Sequence, residues 1–213
     1  MFAQPLHIIT HGADLADYLG IFALFRGDKA TISFPPDRLQ SLRHLVALQP
    51  LSSVRFAEAF GGSGFTVIGP AYIGYAEAVL SPGHPARSLT GRDALAAQSL
   101  QAACAEAEWE HGGSRVGTHP SSGVFVSSDL VALAGYEVWG GTIAHLSVIT
   151  HPAYRGRGFG RSVVAHLAQV ALAAGLVPQY RTLQSNRASM RIGESLGFVL
   201  YATSVAVRLS RAA

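Results

Sequence analysis

His151-Pro152-Ala153-Tyr154-Arg155-Gly156-Arg157-Gly158-Phe159-Gly160 stands between a strand-like run at 142–150 and a helix-like run at 161–174. Glycines at 156, 158 and 160 let the backbone turn tightly and approach a ligand with no Cβ in the way. The following helix begins with unpaired N–H groups aimed into this loop, backed by the positive end of its dipole. Such a place suits an anion, and a pyrophosphate in particular. Arg155, Arg157 and Arg161 can add charge-assisted hydrogen bonds. Two familiar phosphate loops do not fit. The dinucleotide fingerprint needs G-x-G-x-x-G and an acid about 20 residues on, whereas this loop reads G-x-G-x-G with no such acid. A P-loop needs a lysine, and the loop has none.

Working outward, Gly175 ends the 161–174 helix, 177–183 is strand-like, Gly197 ends a short helix at 186–196, and 198–209 is β-rich. Upstream, 123–127 and 130–139 are apolar runs parted by Ser128-Asp129, which predicts a hairpin, and Gly140-Gly141 leads into 142–150. The order β-β-β-α-β-α-β predicts a mixed, mostly antiparallel sheet with helices on its faces, an α/β (α+β) arrangement. Residues 90–110 are Ala-rich and predict one long helix capped by Thr90. Loops are expected at 61–64 and 81–85, with a strand at 65–75 that Pro70 interrupts. Segments 14–25 and 37–48 carry apolar residues at helical spacing behind an aspartate, which predicts two helices. A division is expected near residue 115, between a mixed region at 1–115 and a core at 116–213.

Composition excludes several classes. With 49% apolar and 14% charged residues among 213, the chain is not disordered as a whole. Gly, Pro, His and Arg interrupt every apolar run before it reaches membrane-spanning length. The first 20 residues lack a basic stretch leading into an apolar one, so no secretory leader is expected. Cys104 is the single cysteine and has no internal partner, which fits the cytoplasm. His7 and His11 have a spacing that suits a metal on a helix, but neither a helical pattern nor a third ligand accompanies them, so no metal is expected. Charge is uneven: 141–213 holds eight arginines against Glu194 alone, a net of +7, whereas 1–140 has a net of −4. The basic half lacks the aromatic interleaving of a nucleic-acid groove and better suits a polyphosphate-bearing small molecule. The acidic half suits a cationic second substrate.

Arg155-Gly156-Arg157-Gly158-Phe159-Gly160 fits Q/R-x-x-G-x-G/A, reached through Pro152-Ala153-Tyr154, and Asn186-Arg187-Ala188-Ser189 is followed by Leu196-Gly197-Phe198. In these two elements, their order and their spacing, the segment 123–209 resembles the GNAT acyltransferase superfamily. The resemblance implies a sheet splayed between its fourth and fifth core strands, here 142–150 and 177–183. It also implies acetyl-CoA as cosubstrate, with its pantetheine arm along Ser147, Val148 and Ile149. The pyrophosphate would sit on Arg155, Gly156, Arg157, Gly158, Phe159 and Gly160, helped by Arg161, and Asn186 and Ser189 would line the thioester end or the pantetheine. Asn186 can equally cap its helix.

The implied reaction is N-acetyl transfer by direct attack of an amine, on a small molecule or a peptide, with no nucleic-acid or membrane partner. A homodimer is open to the chain, and 1–115 would supply acceptor-side elements. Two features depart from the family. The tyrosine often found seven residues after the late asparagine is Gly193, and the frequent glutamate of the central strand is missing. The bases that remain are Glu137, His145 and the cluster Glu108, Glu110 and His111. The alternative is a non-catalytic acyl-CoA-binding or regulatory module with the same fold.

Overall fold

The computed structural model describes residues 6–37, 52–61, 65–80 and 83–208. Contacts group the chain into two compact units, one of residues 1–73, 182–187 and 200–213, the other of residues 74–181 and 188–199. Residue 115 therefore lies inside the second unit.

In the first unit the strands β1 (Leu6–Thr10), β2 (Gly20–Arg26), β3 (Lys29–Phe34), β4 (Thr66–Tyr75, whose last two residues, Gly74 and Tyr75, belong to the second unit) and β10 (Val199–Arg208, all but Val199) lie in the order β1-β3-β2-β10-β4. Helix α1 (Ser53–Gly61) places Phe56 and Phe60, one turn apart, against Ile21, Ile32 and Phe34. The helix expected at 14–25 is not formed. Ala13–Leu15 makes a single tight turn and Gly20–Arg26 is β2, hydrogen-bonded antiparallel to β3 on one side and β10 on the other. Ile21 and Ala23 are fully buried in that position, so long-range strand pairing overrides the local helical spacing. The helix expected at 37–48 lies outside the described residues from 38 onward.

The second unit carries β5 (Arg87–Ser88), β6 (Ser121–Val126), β7 (Asp129–Trp139), β8 (Ile143–Thr150) and β9 (Val177–Leu183), in the order β9-β8-β7-β6-β5. β6, β7 and β8 are antiparallel neighbours, and β8 pairs β9 in parallel. Helix α4 (Phe159–Ala173) covers one face and buries Val163, Val164, Leu167 and Ala171 completely. Helices α2 (Ala94–Ala103) and α3 (Glu106–Gly112) take the opposite face, where Ala97 and Leu100 meet Leu133 and Ile149. Covering on both faces explains why β7 is buried without interruption from Leu130 to Tyr136 rather than at alternate positions. Each large apolar side chain in this layer contributes roughly 1.5–3 kcal/mol by leaving water.

The long helix expected at 90–110 is broken in two. Thr90 does cap it, accepting from the Arg92 N–H, but Cys104 and Ala105 are extended and α3 starts afresh at Glu106. No glycine or proline marks the break. Packing imposes it: α2 buries Leu100, whereas α3 must bring Gly112 so close to β8 that a Cβ there would clash with the Val148 carbonyl oxygen. The last helix, α5 (Arg187–Leu196), ends as expected before Gly197, whose φ is +88°.

Candidate active site

The glycine loop closes the end of β8 and opens α4. Gly156 and Gly158 have φ of +76° and +84°, a region that costs side chains with a Cβ, and Gly158 is the N-cap of α4. The helix N-terminus thus adjoins a turn in which Gly156 and Gly158 carry no side chain, which fits an anion. Arg157 has no carboxylate within ion-pair distance among the described residues, and its guanidinium lies 5.4 Å from the centre of the Tyr154 ring. Arg161 donates from Nε to Ser195 Oγ at 3.2 Å. Arg155 is differently occupied. It donates to Glu108 Oε2 at 2.9 Å and to the Thr150 carbonyl at 3.2 Å, tying α3 to the loop. That hydrogen bond holds the Glu108 carboxyl below its ordinary range. Glu108 therefore sits beside the anion loop.

His84 was not singled out by the sequence. Its Nε2 donates to the Arg157 carbonyl at 2.8 Å, its N–H donates to Ser162 Oγ at 3.0 Å, and its ring lies 4.5 Å from that of Phe159. It clamps the loop from a segment more than 70 residues away. Only the His-Pro and Gly dipeptides around it hinted at a turn.

The slot beside β8 follows from register. β8 pairs β9 from Ile143↔Val177 to Leu146↔Tyr180, and beyond that, among the described residues, Ser147, Val148, Ile149 and Thr150 pair with β7 alone, while Gly112 of α3 lies close to the Val148 carbonyl. The two parallel strands part there, and the main chain of 147–150 is left on that side as an edge that an extended arm can join. Ser147 Oγ donates to the Gly113 and Gly135 carbonyls, both at 3.3 Å, and Ile149 is buried with Leu133, so these side chains hold the strand in place.

Immediately before the parting, His145 and Glu137 are cross-strand partners and share the face that α2 and α3 cover. Glu137 is exposed. His145 is half-buried, stacked on Trp139 at 3.8 Å and 15°, with Nδ1 2.9 Å from Gln179 Oε1. Burial lowers its pKa below the ordinary histidine value, partly offset by the Gln179 bond; Arg181 lowers it further and Glu137 raises it. These surroundings favour the neutral imidazole, whose bare ring nitrogen can take a proton.

Other expected residues are engaged in structure. Ser189 Oγ shares a 2.7 Å hydrogen bond with Tyr180 Oη, and Tyr180 is 1% exposed, so that hydroxyl is committed to holding α5 on β9. Asn186 lies in the first unit, its N–H donating to the Leu183 carbonyl. Gly193 is buried in α5. His111 Nδ1 bonds the Ala107 carbonyl one turn back in its own helix. Among the described residues, no helix is long and apolar enough to cross a membrane, and no three His, Cys, Asp or Glu side chains are grouped to hold a metal ion.

Known proteins share this arrangement. A GNAT-family acetyltransferase from Novosphingobium aromaticivorans superposes with a TM-score of 0.51 at 28% identity, over 68% of this chain and 66% of that one. An acetyltransferase from the GNAT family of Colwellia psychrerythraea gives 0.53 at 18%, over 68% and 57%. A GCN5-related N-acetyltransferase-like protein from Streptococcus suis gives 0.53 at 15%, over 89% and 83%. The last two show the fold alone, and the chain spans just under two thirds of the first structure's length. No curated protein matches the chain. Residues 93–198 match the family model described as "Acetyltransferase (GNAT) family", starting upstream of the segment the motifs had marked. With that match, the parted strands and the glycine loop, the chain carries an acetyltransferase domain of the GNAT family.

Proposed function

We propose that this chain is an acetyl-CoA-dependent N-acetyltransferase acting by direct attack of an amine. The observation that carries the proposal is the parting of β8 and β9 after Leu146 beside a glycine loop whose φ values suit an anion. When bound, acetyl-CoA supplies a thioester carbonyl activated for attack. Gly156, Gly158 and the first N–H groups of α4 hold the pyrophosphate, with Arg157 and Arg161 adding charge. The edge of Ser147, Val148 and Ile149 orients the pantetheine arm. Arg155 shapes the loop through Glu108 and Thr150.

His145 is the general base: it takes the proton that an ammonium must lose before its nitrogen attacks, directly or through one water. Glu137, on the same face, supplies negative charge that draws a cationic acceptor and favours the imidazolium that forms. The carbon–nitrogen bond forms as the carbon–sulfur bond breaks; the nitrogen gives up its second proton, and the departing coenzyme A thiolate takes up one proton through water, because Gly193 provides no side-chain acid. The test is to mix the protein with acetyl-CoA and a panel of amines. Thiol release in step with acetylated amine supports the proposal. Tight coenzyme A binding with no thiol release for any amine would instead favour a non-catalytic binding module.

A further inference from the structure

His145 can carry its proton on either ring nitrogen when neutral, and only the nitrogen without it acts as a base. The surroundings of Nδ1 decide which. Gln179, 5% exposed on β9 and paired in register with His145, turns its Oε1 to Nδ1 at 2.9 Å. An amide oxygen only accepts, so this bond requires the proton on Nδ1. The other end of the same amide is tied as well: Gln179 Nε2 donates to Tyr75 Oη at 2.6 Å. Trp139 stacked on the ring prevents it from turning away. The charged groups facing the ring are Glu137 across β7 and Arg181 two residues beyond Gln179.

We propose that Gln179 is a positioning residue that keeps the His145 proton on Nδ1 and leaves Nε2 as the basic nitrogen, with Tyr75 holding the amide in that orientation. The proposal rests on the reading of His145 as general base. It assigns a role to a buried glutamine and a tyrosine 104 residues away in sequence.

The direct test is a long-range proton–nitrogen NMR correlation of the histidine rings, with the His145 signals identified by their loss in His145→Asn. The parent should show a protonated Nδ1 and a bare Nε2 above the pH at which His145 titrates. Gln179→Leu, or Tyr75→Phe if the buried leucine prevents folding, should move protonation toward Nε2. Turnover should then fall about tenfold, the loss of one buried hydrogen bond, with an unchanged KM for acetyl-CoA. Gln179→Glu should restore the tautomer and move the acid limb of the pH–rate profile upward, because a carboxylate favours the imidazolium. A protonated Nε2 in the parent, or a tautomer unmoved in both Gln179→Leu and Tyr75→Phe, overturns the proposal. If the tautomer is as stated but His145→Ala keeps full turnover, the reading of His145 as base fails, and the positioning role falls with it.

Discussion

The C-terminal end of β8 and its middle serve the proposed reaction by different means. At its C-terminal end the glycine loop offers main-chain N–H groups, a helix terminus and two arginines, all within residues 156–161. At its middle, His145 acquires its character from Trp139, Glu137, Gln179 and, through Gln179, Tyr75, on three other strands. Recognition by backbone demands glycine and so leaves a local signature. Recognition by side chains is assembled by strand register and leaves none. Changes at the first end should therefore alter cofactor affinity, and changes at the second should alter turnover.

The largest effect is expected in the middle of the strand. His145→Ala should lower kcat by about 10²–10⁴-fold, the usual worth of a positioned general base, with coenzyme A affinity unchanged by calorimetry. Glu137→Gln should act more weakly and through His145. Removing a charge that raises the histidine pKa should move the acid limb of the pH–rate profile to lower pH. If Glu137→Gln abolishes turnover while His145→Ala does not, the roles of the pair are reversed.

At the loop, Gly158→Val should show the opposite pattern. A side chain at φ +84° is strained by about 1–2 kcal/mol, and relief by movement of the loop should weaken coenzyme A binding about tenfold with kcat at saturation preserved. Unchanged affinity would remove the loop from the cofactor site. His84→Ala is the gentler version of the same break. Losing its hydrogen bond to the Arg157 carbonyl should cost about 1 kcal/mol, close to a fivefold weaker affinity, again without a change in kcat.

The same contrast explains what the sequence reveals. Strands β6 to β9, helices α4 and α5 and the glycine loop lie in a segment where hairpin turns, apolar runs and Gly stops agree, and each forms close to where its residues predict. Residues 20–26 mislead because Ile21, Phe22, Leu24 and Phe25 fit a helix face as well as a strand, and only pairing with β3 and β10 decides. The break at Cys104 has no local marker because the approach of Gly112 to Val148 sets it. His145 is legible as a histidine on the central strand, yet Gln179 and Tyr75 carry no motif. Glu108 reads as part of an acidic helix end open to an acceptor, whereas its carboxylate is bound by Arg155.

In the proposed function the acyl donor lies along the edge that β8 shows where it leaves β9. Amide hydrogen exchange with and without coenzyme A measures this directly. Slowed exchange at residues 147–150 and at the 156–161 loop is the predicted result. Saturating binding that protects other segments and leaves both of these unchanged would contradict it.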